Sequence, residues 1–354
     1  MSTPQFDPAA LARELEEFSR RAADLLPALQ AAAGQAAIDA TPSELVWRDG
    51  AITLHRYRAI ARPAGAAPLL IVYALVNRPS VMDLEPERSM IRSLLNHGLD
   101  VYLIDWGSPD GSDRFRSLDD YLNRYLHGAV QHILDRHGID ALNVLGVCQG
   151  GTFSLCYTAL HPARIRNLVT MVTPVDFKTP ENLLSKWAQG LDVQLMTANG
   201  NVSGEFLNAT YLALMPFRLT QQKYVALATQ QQTPAQLATF MRMERWIFDS
   251  PDIPATTFRE FTEWFYQQNR LVSGTLSIGG LAVELAAIRC PLLNIYATKD
   301  HIVPPSASLP LRQLVSSEDY EVLAVETGHI GMYVSSRSRQ LVPQKIATWL
   351  LQRK

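Results

Sequence analysis

The sequence predicts an α/β fold: a mostly parallel sheet with helices on both faces and an inserted helical cap. Three observations predict it. Apolar runs of strand length alternate with helical stretches between residues 52 and 173, the βαβα order of a parallel sheet. The alternation stops over residues 174–287, where helical periodicity dominates and no convincing β run is found. It resumes over residues 288–354. The expected organisation is therefore an N-terminal helical segment (1–35), a core formed by 36–173 and 288–354, and a cap over 174–287.

The elements follow in order. Residues 8–33 place Leu11, Leu15, Phe18, Ala22 and Leu25 on one helical stripe, interrupted by Pro27 and followed by Gly34. Such a helix packs on its own domain or against a partner. ITLHRY (52–57) alternates with period two, as a half-buried strand does. PLLIVYALV (68–76) is a continuous apolar run feeding Asn77-Arg78-Pro79, which reads as a buried parallel strand entering a loop. Pro86 to His97 reads as a helix closed by Gly98. DVYLIDW (100–106) is the next strand, ended by GSPDGSD. Ser117 and Asp120 open a helix that runs to about His137 and stops at Gly138. ALNVLGV (141–147), a helix from Gln149 to Leu160, and NLVTMVT (167–173) complete the first half. After the cap come PLLNIYAT (291–298), a helix near 306–316, YEVLAVE (320–326) and a closing helix near 337–352.

Composition narrows the function classes. Over 354 residues, 47% hydrophobic and 19% charged side chains suit a soluble globular chain with a sizeable interior. The net charge of −2 supplies no basic field, so nucleic acid is not an expected partner. The longest apolar runs fall short of the roughly 20 residues of a bilayer span, so none is expected. Asp7, Glu14, Glu16, Glu17 and Asp24 would interrupt a secretory apolar region, and the chain reads as cytoplasmic. Cys148, Cys156 and Cys290 are odd in number and lack CxxC spacing, which argues against a disulfide framework or structural zinc. His127, His132 and His137 recur at intervals of five, a spacing that does not share one helix face, so no metal site is expected.

The chemistry concentrates at Gly146-Val147-Cys148-Gln149-Gly150, followed by Gly151, between a strand and a helix. This is the G-x-S-x-G nucleophile elbow of α/β-hydrolases with cysteine in place of serine. A strained turn lifts the nucleophile above the sheet, and side chains at the flanking glycines would clash with strand and helix. The helix N-terminus favours a negative sulfur. The alternative is a buried, inert cysteine beside a tight turn. An activated thiol needs a base, and the base an orienting group. In the chain order nucleophile–acid–histidine, Asp300 after PLLNIYAT and His329 after YEVLAVE fill those roles at C-terminal strand ends. His301 is a secondary candidate, because adjacent residues leaving a strand point apart. The oxyanion hole is expected from the backbone N–H of Gln149 and that of Val76, or of Asn77. Cysteine suits acyl transfer from a thioester, since the exchange keeps the acyl group activated, and a large cap limits water.

The segments LGVCQGG, IVYALVNRP, VYLIDWGSPD, NLVTMVTPVDFKTP, MERWIFDSPD, NIYATKDHIVPP and GHIGMYVS together resemble polyhydroxyalkanoate synthases. The match is with the short catalytic (PhaC-type) subunit of the two-component class III enzymes. The resemblance spans roughly residues 40–350 and maps onto Cys148, Asp300 and His329. It implies polymerisation of (R)-3-hydroxyacyl-CoA, chiefly 3-hydroxybutyryl-CoA, onto a growing polyester chain with release of CoA. His329 would deprotonate Cys148 and then the 3-hydroxyl of a monomer or chain, with Asp300 orienting the ring. It also implies a homodimer, a companion E-type subunit, residence at storage-granule surfaces, and no cofactor beyond the coenzyme A the substrate carries. The rival within the same fold is a cysteine thioesterase or hydrolase. A non-enzymatic granule protein would have no need of all three residues.

Overall fold

The computed structural model describes residues 7–34, 41–230 and 232–354. The expected boundary at residues 35 and 36 lies outside the described residues. The sheet has eight strands: β1 (Ser43–Asp49), β2 (Ile52–Tyr57), β3 (Leu69–Val72), β4 (Val101–Asp105), β5 (Leu142–Val147), β6 (Ile165–Met171), β9 (Leu292–Ala297) and β10 (Tyr320–Val325). β7 (Ser277–Ile278) and β8 (Leu281–Ala282) form a separate two-residue hairpin. The large sheet runs β1-β2-β4-β3-β5-β6-β9-β10, and only the pairings of β2 are antiparallel. Every strand from β4 across to β10 therefore points its C-terminal end to one rim, where open α/β sheets hold their ligands.

The centre of the sheet is apolar because it is covered on both faces. All residues of β3 and β5 are buried. One core cluster, with Leu70, Val72, Phe153 and Leu155, packs under one face, and a second, with Ile71, Leu145, Met171 and Ile295, under the other. Burying each such side chain contributes about 1.5–3 kcal/mol, which is why these strands read as unbroken hydrophobic runs. Asn143, Asn167, Thr170 and Asn294 are the polar exceptions, and they bond one another across the strands: Asn167 Nδ2 donates to Asn143 Oδ1 at 2.8 Å and Thr170 Oγ1 to Asn294 Oδ1 at 3.0 Å.

The structure departs from the sequence reading in four places. The N-terminal helix runs unbroken from Pro8 to Gly34 with Pro27 inside it. The missing proline hydrogen bond is offset by packing, since Leu25, Ala28 and Leu29 sit against Leu227 and Leu237 of the cap. The stretch 86–97 divides at Ser89, whose side chain caps the helix Met90–Asn96 by accepting from Arg92 N–H at 2.8 Å. β1 was not legible, because a register shift between Leu45 and Trp47 breaks its alternation. The segment 174–287 holds the β7–β8 hairpin as well as helices, two residues per strand being too short for any periodicity.

The helices over Leu183–Gln267 lie over the sheet's C-terminal rim and are bonded to it. Trp246 Nε1 donates to Arg78 O at 2.7 Å, Arg242 Nη1 to Glu85 Oε2 at 2.7 Å, and Thr257 Oγ1 to Arg116 O at 2.6 Å. Among the described residues, no helix is long and apolar enough to cross a membrane.

The elbow rests on a close backbone approach between its helix and β3. A Cβ on Gly150 would overlap the Val72 carbonyl oxygen and lie 2.5 Å from that of Tyr73. Gly150→Ala is therefore expected to lower stability by at least ~3 kcal/mol, read from urea midpoints at unchanged slope. Gly111→Ala, with nothing within 4 Å of the added carbon, is the near-neutral control. Equal midpoints for the two variants would contradict this packing.

Candidate active site

Cys148 leaves β5 in a left-handed turn, with φ 54° and ψ −126°, and begins the helix Gln149–Leu160. A non-glycine residue there is strained and persists only when its surroundings hold it. They do so by hydrogen bonds: Cys148 N–H donates to Met171 O of β6 at 2.9 Å, and Gly151 N–H to Cys148 O at 2.9 Å. They also do so by contact. A Cβ on Gly146 would come within 2.6 Å of Gly151 Cα, and one on Gly151 would overlap the Thr173 hydroxyl. Val172, beside Cys148 on β6's exit, is strained too, at φ 46°.

Asp300 follows β9 and His329 follows β10, as their places in the chain suggested. Lys299 N–H donates to Thr327 O at 2.9 Å, which draws the two exits together. His329 Nδ1 bonds Asp300 Oδ2 at 2.7 Å. The other carboxylate oxygen accepts from the N–H groups of Ile302 and Val303, each at 2.9 Å. Asp300 and His329 are only 6% and 5% exposed, so this bond forms away from water and fixes the ring. Cys148 lies within electrostatic reach of the ring.

Burial is the largest single influence on the His329 ring and would lower its pKa. Asp300 and, after it, Cys148 act on the ring through charge and hydrogen bonding, outweigh burial and raise the value to about 10. His301 behaves oppositely. Burial lowers its pKa against the pull of Asp300, and among the described residues its Nε2 has no hydrogen-bond partner. Asp300 spends both oxygens elsewhere, so its carboxylate orients His329 and not His301.

The backbone groups proposed for an oxyanion hole lie together. Val76 and Gln149 line one cavity with Cys148. Among the described residues, neither N–H donates a hydrogen bond within the protein. The Gln149 side chain holds the facing loop, its Oε1 accepting from Leu75 N–H at 2.9 Å. Asn77, the second candidate, has φ 67° and its side chain is engaged by Ser250 at 2.5 Å. The cavity holds about 270 Å³ and is roofed by cap side chains including Trp187, Tyr211, Phe258 and Tyr266.

Sequence reasoning missed four tyrosines. Tyr73, Tyr211, Tyr266 and Tyr333 surround Cys148, and all four phenols are held above their usual pKa, by burial first and with a negative Cys148 sulfur among the further causes. They come from the β3 exit, two cap elements and the short helix Gly331–Val334 after β10, and no spacing in the chain links them. The remaining titratable groups lie elsewhere. His127 and His161 meet as tilted rings 4.8 Å apart, and His137 bonds the Tyr102 hydroxyl at 2.8 Å. Among the described residues, no group of three or more His, Cys, Asp or Glu could hold a metal ion. Cys156 and Cys290 are free thiols whose pKa values burial pushes up, to about 12 and about 11.

Residues 67–336 match the family model of the alpha/beta hydrolase fold, and residues 23–94 that of the poly-beta-hydroxybutyrate polymerase (PhaC) N-terminus. The chain is 49% identical to the poly(3-hydroxyalkanoate) polymerase subunit PhaC of Allochromatium vinosum over 98% of each chain. The chain belongs to the PhaC family of poly(3-hydroxyalkanoate) polymerases. Members of this family are acyltransferase-type synthases. The PhaC subunit of Thiocystis violacea is also 49% identical, over 88% of this chain and 89% of its own. Among solved structures, an alpha/beta hydrolase fold protein from Nakamurella multipartita superposes with a TM-score of 0.51 at 20% identity, over 88% of this chain and 99% of its own. A membrane phospholipase A superposes with a TM-score of 0.52 at 14% identity, over 98% and 96%. These two likenesses speak for the fold alone.

Because the folded His329 value stands above the ordinary 6.5, the pair's contribution to stability is complete below about pH 6.5 and is lost as pH rises toward about 10. Asp300→Asn removes the stronger lifting charge. The His329 ring is then expected to titrate about 1–3 units lower, followed by NMR of the ring Cε1–H. An unchanged midpoint would mean that the carboxylate does not govern the ring.

Proposed function

We propose that this protein polymerises (R)-3-hydroxyacyl-CoA, chiefly 3-hydroxybutyryl-CoA, into polyhydroxyalkanoate through an acyl-Cys148 intermediate, with release of CoA. The observation that carries the reading is Cys148 at a largely apolar cavity, within electrostatic reach of a buried, Asp300-held His329, in a chain of the PhaC family.

His329 takes the proton of the Cys148 thiol, and the sulfur attacks the thioester carbonyl. The oxyanion that forms is bonded by the N–H groups of Gln149 and Val76. Collapse breaks the bond to the CoA sulfur, which leaves with the proton held on the ring. His329 then accepts the proton of a 3-hydroxyl, from a monomer or from the growing chain, and that oxygen attacks the acyl-Cys148 carbonyl. An ester forms and the sulfur is released. Asp300 keeps the ring oriented and offsets its positive charge in both halves. The roof of the cavity limits water at the acyl-enzyme, which favours the alcohol as acceptor over hydrolysis. The reading asks for no cofactor beyond the coenzyme A carried in by the substrate.

A homodimer, a companion E-type subunit and the granule surface belong to the same proposal. They rest on the family resemblance, and the exposed apolar residues Leu15, Phe18 and Leu26 of the N-terminal helix offer a surface for such contacts.

Brief exposure to 3-hydroxybutyryl-CoA, followed by mass spectrometry, is expected to find an acyl adduct on the Cys148 peptide, with free CoA and insoluble polymer. Cys148→Ala is expected to release CoA at least ~10³-fold more slowly. Free 3-hydroxybutyrate without polymer would favour the hydrolase reading instead. Undiminished CoA release by the variant would end the covalent mechanism.

A further inference from the structure

The cavity above Cys148 is walled mainly by hydrocarbon, yet two cap residues, Tyr211 and Tyr266, bring it phenol hydroxyls that no group among the described residues hydrogen-bonds, and of the two Tyr211 shares a packing cluster with Val76. Tyr211 lies near the end of the helix Gly204–Ala213 and lines the cavity together with Cys148, Gln149 and Val76. It is half-buried, and among the described residues no group hydrogen-bonds its hydroxyl. A phenol in an apolar chamber without a partner forgoes a bond worth about 1 kcal/mol, a cost that a ligand can recover.

The position of Tyr211 is not accidental to the fold. Its helix is anchored where Val202 and Ile253 exchange backbone hydrogen bonds, both at 2.9 Å, and where Gly204 N–H donates to Asp252 Oδ1 at 3.0 Å. Asn208, one turn earlier, meets Ser250 Oγ at 2.6 Å, and the same hydroxyl reaches Asn77 at 2.5 Å. Tyr211 and Val76 pack on one small cluster of Val202, Leu207 and Ile253. The phenol is thereby held in register with the loop that carries Val76, the proposed oxyanion-hole donor. Its coupling to the sulfur's charge places it within electrostatic reach of Cys148, and burial keeps it neutral at physiological pH.

We propose that Tyr211 is a substrate-reading residue, whose hydroxyl hydrogen-bonds the oxygen on C3 of the acyl group carried on Cys148. The carbonyl oxygen is taken by backbone N–H groups, so the next polar atom along a 3-hydroxyacyl chain, two carbons further on, is the one left for the phenol. An acyl chain without that oxygen would leave the Tyr211 hydroxyl unpaired. A site built to bond a hydroxyl discriminates strongly against the analogue that lacks it.

This inference rests on the acyl-Cys148 reading, and the test separates the two. The rate of Cys148 acylation is measured by rapid quench and mass spectrometry with (R)-3-hydroxybutyryl-CoA and with butyryl-CoA, in the wild type and in Tyr211→Phe. The substitution keeps the ring and its packing. The expected result is a roughly tenfold fall with the hydroxyacyl thioester, the loss of one neutral hydrogen bond, and no fall with butyryl-CoA. Rates that fall equally for both thioesters, or for neither, would overturn the role of Tyr211. Absence of any adduct in the wild type would instead bring down the acyl-enzyme on which it rests.

Discussion

The left-handed turn at Cys148 is the constraint on which the rest of the site depends. Cysteine does not adopt φ 54° without compensation, and here the compensation comes from both neighbouring strands. β6 accepts the Cys148 N–H, and β3 runs so close to the elbow helix that only glycine fits at position 150. The sulfur is thus raised above the rim without a loop of its own, and the parallel sheet that supports it also carries Asp300 and His329 to the same rim. Cys148, His329 and Asp300 come from three strand ends of one rigid layer, which gives the proposed nucleophile, base and orienting carboxylate a fixed geometry.

The cap works by a different physics. It adds no charged side chain to the triad. Its aromatic residues and its hydrogen bonds to Arg78, Glu85 and Arg116 close an apolar chamber over the sulfur. In such a chamber the Asp300–His329 bond gains strength from the low dielectric, and the proposed acyl-Cys148 would be shielded from water. Tyr211 and Tyr266 are the polar points in that roof, and both phenols feel the Cys148 sulfur.

What was legible in the chain follows from how locally each feature is determined. Gly146, Gly150 and Gly151 around Cys148 betray the elbow because a side chain at any of them would collide with backbone or a neighbouring strand, so composition and conformation are locked together. The places of Asp300 and His329 at neighbouring strand exits were legible because each follows an apolar strand whose pattern stops abruptly. The unbroken helix through Pro27 was not legible, since the contacts that tolerate the proline come from residues two hundred positions away. Nor were the tyrosines around the sulfur: Tyr73, Tyr211, Tyr266 and Tyr333 meet only through the folding of the cap onto the sheet. The bulge in β1 hid a strand for a similar reason, as its pairing with β2 and not its own pattern defines it.

The central claim is that the His329 ring serves as base to the Cys148 sulfur, and the rate of Cys148 alkylation by iodoacetamide at pH 7 tests it without substrate. Mass spectrometry assigns the adduct in the wild type and in His329→Gln. The account predicts alkylation at least ~10-fold slower in the variant, because the ring no longer takes the proton. Equal rates in the two proteins would contradict it.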